Sequence, residues 1–184
     1  MVDIDKSIKS IILIIFLFVG FSSNAQEKRT YPNLKAVYQD MIKTFKLMND
    51  TALQSFCYRL APDEQTLAYM RTHNLNYRGI PEQLDKQHYQ ISAIGDTYFP
   101  ALKRVRDRLM RSDLLSLLVV DQDIFKTKTI NVNGVVIEGT DTDLIMKSGN
   151  KQIFYIMGEM VKINGKWSLF TRPNVDYSIK SNVD

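Results

Sequence analysis

Few side chains in this sequence stand where chemistry could be done. In the stretch Phe154 to Pro173, FYIMGEMVKINGKWSLFTRP, Glu159 is the one carboxylate in an otherwise apolar run, and Arg172 follows it. A buried carboxylate without a partner costs several kcal/mol, so Glu159 must meet a cation or water, and Arg172 is the nearest candidate. An ion pair on the outer face of a layered fold, stabilising by about 0–1 kcal/mol, is the preferred reading. The functional alternative is a polar spot in a concave apolar pocket, with Tyr155, Met157, Glu159, Phe170 and Arg172 as its ligand-binding wall. In that setting Glu159 could serve a small hydrolase or isomerase as general base, with Arg172 or Tyr155 orienting the substrate.

The remaining candidates carry less. His73 and His88 stand fifteen residues apart with no cysteine or carboxylate at ligand spacing beside them, so no metal is expected. Asp141 and Asp143 would share one side of a strand and could hold a cation or do acid–base work, although two solvent-facing residues near a turn are commoner. Ser148 and Ser168 lack an adjacent base and a nucleophile-elbow pattern, and no glycine-rich phosphate loop follows a strand. Neither a catalytic residue nor a cofactor is therefore assigned. Cys57 falls on an apolar helix face and reads as a small core residue.

The elements that would position Glu159 begin with a turn. Asn164-Gly165 suits a type I′ hairpin, which places Ile163 opposite Lys166, Val161 opposite Ser168, Glu159 opposite Phe170 and Met157 opposite Arg172. Register then sorts the side chains: Tyr155, Met157, Glu159, Val161, Ile163, Phe170 and Arg172 on one face, and Phe154, Ile156, Gly158, Met160, Trp167 and Leu169 on the other. The second face is nearly free of polar groups and calls for a cover of helices. A second Asn-Gly pair, Asn133-Gly134, and Ser148-Gly149-Asn150 divide the preceding chain in the same way. The expectation is one four-stranded antiparallel meander over about 117–173, followed by a frayed polar tail at 174–184.

The helical part covers about 33–113. Leu34, Val37, Tyr38, Met41, Ile42, Phe45 and Met48 recur at three- and four-residue steps behind Asn33 as N-cap. A second amphipathic stretch holds Leu53, Phe56, Cys57 and Leu60, and a third runs through APDEQTLAYMRTH with Pro62 at its first position. HYQISAI alternates briefly and suits a short strand or a continued helix. Asp96 or Thr97 would cap a basic helix ending near Arg111. Its cations, in KRVRDRLMR (Lys103 to Arg111), read as the wet side opposite Tyr98, Leu102, Val105 and Leu109. No stacking aromatics or reading module accompany them, so nucleic acid is not an expected partner.

At the start, Lys6 and Lys9 precede an apolar run from Ile11 to Phe21 and small residues at Ser23 and Ala25, the layout of a secretory signal peptide. Eleven residues of helix span roughly 16 Å, about half a hydrocarbon core, so cleavage after Ala25 is expected rather than a permanent span. Residues 26–184 then form a single exported domain, periplasmic or extracellular, that is not membrane-spanning after cleavage. With one cysteine the chain has no internal disulfide framework. A net charge of +4 leaves an anionic partner, such as a phospholipid surface or a sulfated or phosphorylated polymer, open; a small apolar ligand, a partner protein or a second copy forming a homodimer are the other partners expected.

Amphipathic helices leading into a meander that ends in GEMVKINGKWSLF resemble the NTF2-like, or SnoaL-like, superfamily. The resemblance rests on Met157 to Phe170, where a penultimate strand, an Asn-Gly turn and a Lys-Trp opening of the last strand follow one another. It implies an α+β fold in which a curved sheet wraps helices into a cone. It also implies either small-molecule enzymes or non-catalytic binding and assembly modules. The His/Asp catalytic pairs of the superfamily's enzymes have no matching positions here, which favours the second class.

Overall fold

Asn33 stops the chain from continuing extended: its side chain accepts a hydrogen bond from the Ala36 amide at 2.9 Å, and helix α1, Leu34–Lys46, starts behind it. Asn49 does the same for α2, Asp50–Leu60, accepting from Thr51 and Ala52. Asp63 caps α3, Glu64–Thr72, by accepting from Thr66, so Pro62 lies ahead of the cap rather than inside the first turn. The computed structural model describes residues 31, 33–75, 93–122, 127–140 and 144–181. The expected leader at 1–25, most of HYQISAI, His88, Asp141 and Asp143 lie outside the described residues. Ala93, the end of that alternating stretch, opens a turn of π-helix, Ala93–Tyr98, that runs directly into α4, Phe99–Arg111. Because this preceding turn is already helical, α4 has no side-chain cap, and neither Asp96 nor Thr97 takes the role expected of it.

Among the described residues the helices are followed by eight strands: β1 Val119–Gln122, β2 Thr127–Val132, β3 Val135–Thr140, β4 Leu144–Ser148, β5 Lys151–Tyr155, β6 Met160–Ile163, β7 Lys166–Leu169 and β8 Tyr177–Ser181. They form two antiparallel four-stranded sheets, ordered β1-β4-β5-β8 and β2-β3-β6-β7. The chain is therefore α+β as its pattern implies, but the single four-stranded meander is replaced by two sheets. Both long strands of the expected meander divide. VVIEGTDTDLIM becomes β3 and β4, and KQIFYIMGEMVKI becomes β5 and β6. Gly158, at φ +132°, lies in the second break, a backbone conformation that side chains with a Cβ rarely adopt.

The tail is the other correction. Residues 177–181 pair in register with β5, from Tyr155↔Tyr177 to Lys151↔Ser181, so this part of NVDYSIKSNVD is an edge strand rather than a frayed end. Tyr177 packs against the main core, and Arg108 stacks on its ring at 4.7 Å while bonding Asp176 at 2.7 Å.

Asn133-Gly134 and Asn164-Gly165 both take positive φ at both central positions, as type I′ turns require, and the pairs Ile163↔Lys166 and Val161↔Ser168 follow. Phe170 then donates its amide to the Glu159 carbonyl at 3.0 Å, extending the hairpin. One face of β6–β7, with Met160, Trp167 and Leu169, enters a large core built with α1, α2 and α4. The other face is covered too. Val161, Ile163 and Phe170 pack with Ile137 of β3 under Leu67 and Met70 of α3 and the following Leu75. The β2-β3-β6-β7 sheet is thus packed on both sides, and Lys166 fastens the hairpin to α3 through Asp63 at 3.1 Å and Gln65 at 2.7 Å.

Candidate functional site

The structure divides the five side chains of the expected ligand wall. Tyr155 and Met157 are fully buried in the large core, while Phe170 belongs to the smaller one under α3. Glu159 is half-buried and Arg172 is exposed. Among the described residues no ion pair joins these two. The Tyr155 hydroxyl donates to the Asn174 carbonyl at 3.0 Å, and burial, reinforced by Tyr38 and Cys57, holds its phenol far above the ordinary value. Glu159 donates its amide to Thr171 Oγ1 at 2.8 Å, so this stretch is pinned through its backbone. Gly158 makes the division possible: it bends the chain from one sheet into the other, and a Cβ there would stand 2.8 Å from Thr171 Oγ1.

The other candidates resolve into structural roles. His73 ends α3, stacked on Tyr69 with ring centroids 4.0 Å apart and Nδ1 2.9 Å from the Tyr69 carbonyl. Cys57 is fully buried, and burial pushes its thiol up to about 12, which keeps the nucleophilic thiolate out of reach at neutral pH. Among the described residues no three His, Cys, Asp or Glu side chains gather as a metal site, and no helix is long and apolar enough to cross a membrane.

Two polar clusters bind helix to helix. Tyr31 and Arg59 both bond Asp40, Arg59 Nη2 at 2.8 Å, fastening α1 to α2. Burial works against the Arg59 cation, but its contacts with Tyr31 and Asp40 outweigh that and raise its pKa. On α4, Arg106 is not on the wet side: its side chain is only 2 % exposed, held by Asp50 at 2.6 Å and Asp107 at 3.1 Å. Lys103 reaches the same two carboxylates. Lys103, Arg106 and Arg108 of the basic stretch are therefore paired, with Asp50, Asp176 and the stretch's own Asp107.

Among the described residues, a groove of about 450 Å³ open to a ligand lies between α1 and β1. Its floor is Ile42 and Leu118, both buried, with half-buried Val120; Leu47 and Val119, each more than half exposed, stand at the rim. Gln39, Lys43 and Lys46 complete the lining. It forms because α1 leans on the large core beside β1, an edge strand that pairs only with β4 and carries a register shift between Val120 and Gln122. Nothing local in the sequence marks this groove, since its walls come from elements some seventy residues apart. The one available signal is negative: Leu47, the C-cap of α1, falls outside the apolar stripe that ends at Phe45 and stays exposed, where packing does not need a leucine.

No family model, no curated protein and no solved structure matches the chain.

Proposed function

We propose that this chain is an exported, non-catalytic binding module that takes a small apolar ligand in the groove between α1 and β1. The observation that carries the reading is the groove itself: about 450 Å³ of space with an apolar floor and few polar groups, within the range usual for small-molecule sites. The division of Tyr155, Met157, Glu159, Phe170 and Arg172 between two cores and the surface supports binding over catalysis at Glu159. Export rests on the leader-like layout of residues 1–25, and a cone-like wrapping of sheet around helices rests on the resemblance of Met157 to Phe170 to NTF2-like domains.

The neutral fluorescent probe N-phenyl-1-naphthylamine tests the groove, alongside native mass spectrometry for ligands that co-purify. Saturable fluorescence enhancement is expected, and Val120→Trp, which fills the groove from β1, abolishes it while leaving the far-ultraviolet circular dichroism unchanged. Enhancement that survives in a folded Val120→Trp protein would place apolar binding elsewhere and remove the reading.

A further inference from the structure

The chemistry of the groove's rim points to the class of ligand. Lys43 and Lys46 are one turn apart near the end of α1, and both are exposed. Among the described residues neither has an ion-pair partner, and no carboxylate lines the groove. The nearest acids in sequence are engaged elsewhere: Asp40 with Arg59 and Tyr31, Asp50 with Arg106 and Lys103, and Asp121 with Gln152 at 3.4 Å. Cations in the last turn of a helix are favoured by its dipole, which accounts for lysine there on its own. The dipole does not account for both of them bordering an apolar trough, where an occupant with one negative end would be held at head and body together.

We propose that the groove takes a free long-chain monocarboxylate. Its hydrocarbon lies along Ile42, Leu118 and Val120, and its carboxylate is held between Lys43 and Lys46. This rests on the groove being the ligand site. An added peptide strand fits less well: β1 has four residues, about 13 Å, and its register shift between Val120 and Gln122 interrupts the ladder a peptide would extend. An anionic membrane surface would need a broad field of available cations, whereas Lys103, Arg106 and Arg108 of α4 are already paired with Asp50, Asp107 and Asp176.

The test is displacement of N-phenyl-1-naphthylamine from the purified protein by dodecanoate and by dodecan-1-ol, which share a chain and differ in charge. Dodecanoate should displace the probe at a concentration about tenfold lower, and added salt should erode that advantage without affecting the alcohol. Lys43→Gln and Lys46→Gln should each weaken dodecanoate up to about fivefold, the range of an exposed ion pair, and weaken dodecan-1-ol less. Equal displacement by acid and alcohol would overturn the carboxylate proposal while the groove reading stands. Failure of the probe to bind, or binding untouched by Val120→Trp, would remove the groove reading and this proposal with it. Lysine-dependent binding to phosphatidylglycerol vesicles, with no binding of monomeric dodecanoate, would overturn the proposal in favour of a lipid surface. Tight binding of an extended acidic peptide in place of dodecanoate would overturn it in favour of strand addition.

Discussion

Replacing Asp50 by alanine leaves a buried guanidinium with one carboxylate instead of two. Arg106 is 2 % exposed, its Nη2 lies 2.6 Å from Asp50, its Nε lies 3.1 Å from Asp107, and its Nη1 is buried without a hydrogen-bond partner. Breaking a fully buried pair from one side costs about 3–5 kcal/mol. Here Asp107 remains and the Asp50 side chain is 51 % exposed, so water can enter from its side and the figure falls to about 2–3 kcal/mol. In a domain of this size that corresponds to a loss of about 4–12 °C in Tm, measured by differential scanning calorimetry or as a shifted urea midpoint. Arg106→Met removes the charge together with its unpaired Nη1 and keeps the packing, so it should cost no more than about 1 kcal/mol. The Arg106 contact holds the Asp50 carboxyl below its usual 3.8, against a smaller opposing effect of burial and with help from Lys103. The stability this contributes is present above that ordinary value and is lost as pH falls through the lower native pKa. Acidification should therefore destabilise the wild type more steeply than Arg106→Met. If Arg106→Met proves as costly as Asp50→Ala, or the acid limbs of the two proteins coincide, the argument from a desolvated charge is refuted.

Three further outcomes follow from the packing. Gly158→Ala should destabilise by about 1–3 kcal/mol in urea titration, because φ is +132° and the new Cβ would press on Thr171 Oγ1 at 2.8 Å and the Arg172 carbonyl at 3.3 Å; an unchanged midpoint would show that the bend does not depend on glycine. Cys57 should be inert to a thiol-reactive disulfide reagent in native buffer and react fully once denaturant is added, whereas fast native labelling would contradict its burial. Trp167, 5 % exposed, should emit to the blue of free tryptophan and shift red in the same transition that exposes Cys57.

Those parts of the architecture that depend on neighbours in sequence were legible. Asn33 capping α1, the three- and four-residue steps that follow it, and the two Asn-Gly turns with the register of β6 on β7 are all set within a few residues of chain. The division into two sheets was not, because β5 and β6 read as one alternating apolar run, and only the positive φ of Gly158 shows where it bends. β8 escaped notice since Tyr177 and Ile179 alternate over three residues only, too short a pattern to stand out from a polar tail. Arg106 looked solvated because charge is normally exposed, and the acid that draws it inward, Asp50, comes from another helix. For the same reason Glu159 and Arg172 looked like partners: an ideal hairpin continued to Met157 would place them diagonally, whereas the chain bends away before it gets there.

The bent hairpin also bears on how the two sheets assemble. β3 and β4 run up, β5 and β6 run back, and each arm takes part in both sheets, joined at a tip where Gly149 has the positive φ suited to the first position of a tight turn. A slip of one residue at that tip would turn Met146 and Ile153 out of one interior and, through the same arms, Ile137, Val161 and Ile163 out of the other. Mispairing is thus penalised twice for a single error. Register in the two sheets is held by the packing of two cores.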